Sequence, residues 1–172
     1  MNTIQVLGVH SMQDDLCVIE MDEFIPLSFK SYSNVLGGVY IQIGNHTTTL
    51  MDIVVDPVSR VLRGATLICF DSFAPWPSMG QKRVSEGLPR LSGPWDRSDH
   101  SRLDYQAISI HRDFWVSIRG DECLIYWGNL ADELQSAIFG RMEFFFVAEE
   151  LRGIRVSELS QQEQSLIASY EN

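Results

Sequence analysis

The amino-acid sequence predicts an α+β fold: a mainly antiparallel β-sheet built from hairpins, with one or two helices in the C-terminal portion. Two observations carry this prediction. Short apolar runs rich in Val and Ile recur from the N-terminus to about residue 127, and turn residues separate them. Helical spacing of apolar residues is found only after them.

The first strands are predicted at residues 3–9 and 16–21, on either side of a polar stretch. Residues 39–43 alternate with period two, which places Val39, Ile41 and Ile43 on one face of a third strand.

A hairpin is the clearest local prediction. Alternate residues from Thr47 to Val55 share one face of a strand. Residues 56–59 read Asp-Pro-Val-Ser and fit a type I turn, with Asp at the first position and Pro presetting φ at the second. Residues 60–70 then return as the second strand, with a bulge expected at Gly64.

A second hairpin is predicted further along. Residues 106–111 and 114–119 are expected to be strands, and residues 123–127 run back after a tight turn at 120–121. Trp115 and Trp127 lie on these strands and are expected in the core.

Helices are predicted only near the C-terminus. Leu130, Leu134, Ala137 and Ile138 recur at helical spacing, and Gly140 would end that helix. Residues 142–147 fit either a buried strand or a continuation of the helix. The pair of Ser160 and a Glu three residues later forms a capping box that predicts a closing helix.

Residues 72–104 are predicted to be a long irregular loop within a single domain of residues 1–172. The segment holds four of the six prolines, two tryptophans and five basic residues. Loops of this length are uncommon unless they are functional or disordered. A packed or partner-contacting loop and a mobile surface insertion both remain open.

The charge pattern favours a protein partner. The net charge is −10, and it divides into −6 for residues 1–59, +3 for residues 60–112 and −7 for residues 113–172. Such a field repels nucleic acid and anionic membrane and attracts basic partners. The three cysteines are isolated and the N-terminus has no secretory pattern, so we expect a cytoplasmic protein, with a monomer favoured.

No catalytic, cofactor or metal motif is present in the sequence. The four histidines are isolated, and the adjacent acid pairs fit solvated turns better than general acid–base catalysis. We therefore expect no cofactor and no enzyme activity. Two alternatives stay open. One is a ligand-binding protein or enzyme with a pocket lidded by residues 72–104, using Asp99, His100, Arg102 and His111. The other is an acidic secretion chaperone.

The residues expected to contact a partner are exposed acids and loop tryptophans, because charge steers association and Trp dominates binding hot spots. The acids come as four pairs of neighbours in the sequence, for which solvated surface positions are expected. These candidates are Asp14, Asp15, Asp22, Glu23, Trp76, Trp95, Asp121, Glu122, Glu149 and Glu150.

In general character the chain resembles the immunity proteins that bacteria make against toxins delivered by neighbouring cells. The resemblance rests on a small acidic composition and on the strand-turn-strand element IVVDPVSRVLRGATLI, residues 53–68. It implies binding and neutralisation of a cognate toxin domain, often a basic nuclease.

Overall fold

A computed structural model describes residues 3–11, 16–31, 38–93 and 107–170. Fourteen strands and one helix are found in these ranges. In chain order they are β1 Gln5–His10, β2 Cys17–Glu20, β3 Leu27–Ser31, β4 Val39–Gly44, β5 Leu50–Val55, β6 Leu62–Cys69, β7 Lys82–Glu86, β8 Leu88–Ser92, β9 Ala107–His111, β10 Trp115–Arg119, β11 Glu122–Tyr126, β12 Leu134–Phe139, β13 Met142–Val147, β14 Glu150–Val156 and α1 Gln161–Ala168.

The strands form two sheets. The six-stranded sheet has the order β2-β3-β6-β5-β4-β9, and the eight-stranded sheet contains the path β10-β11-β14-β13-β12-β7 together with β1 and β8. Most neighbours are antiparallel, but β7 pairs with β12 and β9 pairs with β4 in parallel. The fold is therefore mostly β-sheet with one short C-terminal helix, as the sequence predicts at this level.

Part of the eight-stranded sheet closes on itself. β12, β13 and β14 pair in succession, β14 pairs with the start of β1, β1 pairs with β8, and β7 returns to β12. Gly87 alone separates β7 from β8, and its φ of 127° lets the chain bend there. Five pairings therefore link these six strands, and the chain itself joins β7 to β8 at Gly87, which completes a ring of strands at this side of the molecule.

The two sheets pack face to face over one apolar core. Phe29 of β3 makes edge contacts with Phe139 of β12 and Phe144 of β13, with ring centroids 6.2 and 5.8 Å apart. Apolar residues of both sheets join the same buried cluster. Since successive side chains on a strand alternate, each sheet also has an outer face away from this core.

The predicted hairpins are confirmed at β5–β6 and β10–β11. The Asp56 side chain accepts hydrogen bonds from the amides of Val58 and Ser59, which closes the predicted turn. The pairing of β5 with β6 shifts register between Val54 and Val55, opposite Gly64 and Leu62, so the expected bulge lies beside Gly64.

The helix predicted over residues 130–138 is wrong, because Leu134–Phe139 is strand β12. Leu134 and Ser136 are buried on one face of this strand, and Ala137 and Phe139 on the other. A strand buried on both faces has no clear period of two, so its apolar residues imitated helical spacing. Residues 142–147, left open by the sequence, form the buried strand β13.

The loop prediction for residues 72–104 is wrong where β7 and β8 lie. Pro89 is buried within β8 opposite Val9, so this proline is part of a strand rather than of a loop. Residues 72–81 remain largely irregular, and residues 94–104 lie outside the described residues.

Two side-chain predictions also change. Trp127 is buried, but Trp115 is 45% exposed and packs beside Tyr126 at 5.6 Å between ring centroids. Cys123 is fully buried, and burial raises the pKa of its thiol to about 12. Cys17 and Cys69 are only half-buried.

The closing helix is confirmed with its capping box. Ser160 Oγ accepts from the amide of Glu163 at 3.2 Å, and the Glu163 carboxylate accepts from the amide of Ser160 at 2.7 Å. Arg141, in the β12–β13 turn, makes two further hydrogen bonds to Glu163 and so ties the helix to the sheet. Within the described ranges, this model contains no helix that meets the length and apolarity needed to span a membrane.

Candidate partner-binding surface

The β2–β3 turn presents an exposed aromatic ring between strands. Asp22 Oδ1 accepts hydrogen bonds from the amides of Phe24 at 2.7 Å and Ile25 at 2.8 Å. The Asp22 amide in turn donates to the Ile25 carbonyl at 3.1 Å. Asp side chains stabilise turns in this way. We call residues Asp22–Ile25 the acidic turn.

The acidic turn is also anchored from the C-terminus. The Tyr170 hydroxyl donates to the Asp22 carbonyl oxygen at 2.7 Å, although the two residues are 148 positions apart. Tyr170 follows helix α1 and packs against the main core. Burial raises the pKa of the Tyr170 phenol, and the nearby negative charges of Asp22 and Glu23 raise it further. The two carboxylates therefore lie close to the phenol.

The side chain that the acidic turn holds out is Phe24, which is 77% exposed. Its backbone is fixed by hydrogen bonds rather than by packing of its ring. Burying such a ring against a partner stabilises a complex by about 1.5–3 kcal/mol. Asp22 and Glu23 form no ion pair with the described residues, so both charges are available beside the ring.

The remaining predicted acids lie at two ends of the eight-stranded sheet. Asp121 is exposed in the β10–β11 turn, where its carbonyl accepts from the amide of Leu159. Glu149 is exposed in the β13–β14 turn, at the other end of β14. At 3.3 Å per residue, the length of β14 separates these ends by about 20 Å. Asp121 and Glu149 therefore cannot belong to one small contact patch.

Two predicted acids are paired inside the protein. Glu122 binds Arg119 at 3.0 Å and Arg155 at 2.6 Å. Glu150 binds Arg112 and Arg152, each at 2.6 Å. Glu122 links β11 to β10 and β14, and Glu150 links β14 to the segment that follows β9. We leave both carboxylates out of the candidate surface.

Trp76 also has a partner within the fold. The Arg119 guanidinium lies 4.1 Å from the centre of its ring, which is a close cation–π contact. The half-buried indole packs against a small second core on the outer face of the eight-stranded sheet. The remaining three predicted residues, Asp14, Asp15 and Trp95, lie outside the described residues.

A line of alternating charges crosses that same outer face, which sequence reasoning missed. It runs Arg119, Glu122, Arg155, Glu143, Lys82, and we call it the charge ladder. Burial raises the pKa of Glu143, but hydrogen bonds from Lys82 and Ser136 and the charge of Arg155 outweigh it, so the pKa lies below its ordinary value. Apart from Arg119 and Glu122, the members of the charge ladder are distant in sequence, and strand register brings them together.

The outer face of the six-stranded sheet differs. Strand register aligns a polar row across it: Ser109, Gln42, Asp52, Thr66, Ser28, Glu20. Burial raises the pKa of Asp52, opposed by a Gln42 hydrogen bond and by His46. One Asp52 carboxylate oxygen is buried without a hydrogen-bond partner. The His46 ring lies against the His111 ring, with centroids 4.7 Å apart and planes tilted by 59°. The described residues contain no three-residue metal-ligand set.

A surface depression opens at the mouth of the strand ring. Its volume is about 530 Å³, and its polar lining includes Arg83, Gln135 and Glu149. Of the four residues expected around a lidded pocket, His111 lies on β9 instead, and Asp99, His100 and Arg102 lie outside the described residues.

No protein-family model matches the chain, and the search of curated proteins found no match. The fold and the surface described above therefore carry the functional argument.

Proposed function

We propose that this protein is a small acidic protein-binding module that docks onto a basic partner through the acidic turn. Its specific form is an immunity protein that neutralises a basic, nuclease-like toxin domain. The observation that carries the proposal is Phe24, which is 77% exposed on a turn whose amides donate to the Asp22 carboxylate and whose Asp22 carbonyl accepts from the Tyr170 hydroxyl.

Preorganisation is the first physical support. A loop that is already ordered loses little conformational entropy on binding, so more of the contact energy remains as affinity. Exposed aromatic anchors in fixed positions are typical of binding hot spots. Phe24 meets this description without a large apolar patch around it.

Electrostatics is the second support. A nuclease that grips phosphates presents cations, and a chain with a net charge of −10 is attracted to such a surface. Asp22 and Glu23 place two unpaired carboxylates at the contact itself. Charge complementarity of this kind raises the association rate and makes it salt-dependent.

The test is co-expression of this protein with the protein encoded by the reading frame immediately upstream. We expect the two to co-purify, and we expect this protein to relieve the growth arrest that its neighbour causes. A pair that neither co-purifies nor shows protection rules out this function for that neighbour.

Variants then test the surface in the purified complex. Phe24→Ala should raise the dissociation constant by roughly tenfold or more, because it removes the anchor ring. Glu23→Gln should lower mainly the association rate at low salt. Glu149→Gln is the matched control, since it removes one exposed acid at the far end of β14. Equal losses for Glu23→Gln and Glu149→Gln would show that only net charge matters.

Small-ligand binding is a second candidate function. The observation that favours it is the cavity of about 530 Å³ at the mouth of the strand ring, a volume within the usual range for ligand sites. A metabolite retained through purification and detected by native mass spectrometry would support it. Loss of that metabolite in the Gln135→Leu variant would assign it to this cavity.

A further inference from the structure

Strand β7 is an edge strand with a free side. It pairs with β12 alone among the described strands. The Leu134 amide donates to the Gln81 carbonyl, and the Gly87 amide donates to the Ile138 carbonyl. Odd-numbered residues therefore turn their backbone groups toward β12. The amides and carbonyls of the even-numbered residues of β7 face away from the sheet, because backbone direction alternates along a strand.

This edge has neither a proline nor a bulge, two features that block pairing outright. Natural edges are blunted by proline, bulges or outward lysines. β7 contains no proline, its register with β12 has no shift, and all five of its residues are exposed. Its one lysine, Lys82, does not project outward, because its ammonium binds Glu143 at 2.8 Å and lies 5.7 Å from the Phe145 ring centre.

Neighbouring β1 does not cover this edge. It pairs with β8, and its last pair joins His10 to Leu88, just beyond the bend at Gly87. Among the described residues, no strand other than β12 pairs with β7, and its backbone groups that face away from β12 have no strand partner there.

The charge pattern of β7 is complementary to its own reverse. The residues whose backbone groups face away from β12 are Lys82, Val84 and Glu86. An antiparallel copy centred on Val84 therefore sets each Lys82 opposite a Glu86. Val84, which is 49% exposed, then meets its own counterpart. Opposite charges and β-branched residues are favourable cross-strand pairs. A parallel copy in register would instead oppose like charges.

From this geometry we propose that two copies of the protein associate through β7, antiparallel about Val84. Lys82, Val84 and Glu86 then each form a residue pair that exchanges both backbone hydrogen bonds with the second copy. The two eight-stranded sheets become continuous, and the Glu86 of each copy extends the charge ladder of the other. The sequence favours a monomer, and the free edge of β7 is the reason to depart from that expectation.

The interface is small. One five-residue strand pair buries less than the roughly 1,200–2,000 Å² of a standard stable complex. We therefore expect a weak dimer whose population rises with protein concentration. The oligomeric state is measured on the protein alone, so its outcome is independent of the partner proposed for the acidic turn.

Sedimentation velocity across micromolar to near-millimolar concentrations tests the proposal. Val84→Pro removes only an amide that faces away from β12, and edge positions tolerate proline. We expect it to raise the dissociation constant by about tenfold or more, since it removes two symmetry-related hydrogen bonds at the dimer centre. Val84→Thr keeps the amide and the β-branched shape, and it should dimerise like the parent.

Glu86→Lys provides a test that does not alter the backbone. It places like charges opposite each other in the dimer, so it should weaken association severalfold at low salt and less at high salt. Circular dichroism melting curves confirm that the variants are folded. A protein that stays monomeric at every concentration overturns the proposal. A dimer that both Val84→Pro and Glu86→Lys leave intact also overturns it.

Discussion

The outer faces of the two sheets each carry a central acid, but the two acids are in opposite electrostatic situations. Glu143, on the eight-stranded sheet, lies between Lys82 and Arg155 and accepts from Ser136. Asp52, on the six-stranded sheet, has Gln42 and His46 nearby and one oxygen without a partner. The pKa of Glu143 is lowered, whereas the pKa of Asp52 is raised.

The difference shows that burial alone does not decide whether the pKa of a carboxyl group is raised or lowered. Desolvation is the largest influence on both carboxylates, and it favours the neutral form. Cations in strand register reverse that preference for Glu143. The same distinction separates the partner candidates, since Glu122 and Glu150 are paired with arginines while Asp22 and Glu23 are not.

The largest expected effect is the loss of Glu143. Glu143→Gln removes the charge that holds Lys82 and Arg155, so it should lower the free energy of unfolding by about 3 kcal/mol, the low end for a buried ion pair. The low end applies because the Lys82 side chain is 35% exposed. Urea unfolding at neutral pH measures the change. A loss no larger than that of the exposed pair variant Glu133→Gln would contradict the comparison.

The opposite sign is expected for Asp52. Asp52→Asn keeps the shape and removes a partly desolvated charge, so it should raise the free energy of unfolding by up to about 1 kcal/mol. The same urea experiment measures it. If Asp52→Asn destabilised the protein as Glu143→Gln does, then Asp52 would have a charge partner that this comparison lacks.

The pH dependence of the two variants should also separate. The folded pKa of Glu143 lies below its ordinary 4.5. Its stabilisation is therefore complete above that value and is lost as the pH falls through the folded pKa. The folded pKa of Asp52 lies above its ordinary 3.8. Its destabilisation is present above the folded pKa and disappears as the pH falls toward 3.8.

Stability measured from neutral pH downward should therefore show both differences from the parent shrinking in acid. The deficit of Glu143→Gln and the advantage of Asp52→Asn should each approach zero. A difference that stayed constant across this range would mean that the charge of that residue is not its cause.

The smallest effect is expected at the margin of the polar row. Glu20 pairs with Lys30 at 2.8 Å, and both side chains are 56% exposed. Glu20→Gln should change the free energy of unfolding by less than about 0.5 kcal/mol, since water already solvates both charges. Thermal unfolding at two salt concentrations checks this. A larger loss of unfolding free energy would show that the position of Glu20 in the polar row, rather than its exposure, sets the contribution of this ion pair.

Several features could be predicted from the sequence because they depend on neighbours along the chain. The turn at Asp56, the β10–β11 hairpin and the Ser160 capping box all follow from local backbone chemistry. Among the partner candidates, Asp22 and Glu23 were found as a pair of acids in a turn. The exposed Phe24 beside them was missed, although an aromatic residue directly after two acids in a turn was a usable signal.

Other features depended on contacts between distant segments. The apolar residues of β12 fit a helix, but pairing with β13 and β7 makes the segment a strand. The main core covers one face of this strand and the second core covers part of the other. Trp115 and Trp127 look alike in sequence, but β10 is an edge strand that leaves Trp115 partly exposed. No local pattern distinguishes these cases, because the deciding neighbours are not adjacent in the chain.

The sequence by itself determined a β-rich chain with an acidic surface, a set of turns and one capped C-terminal helix, because these follow from composition and from residues a few positions apart. Only the tertiary structure decided which acids are neutralised. Strand register brings Glu122 and Glu143 to Arg155 of β14, and the fold places Glu150 beside Arg112 and Arg152. Among the described residues, it brings no arginine into an ion pair with Asp22 or Glu23. Electrostatic energy depends on the distance between charges in space, so the fold determines which acids are paired.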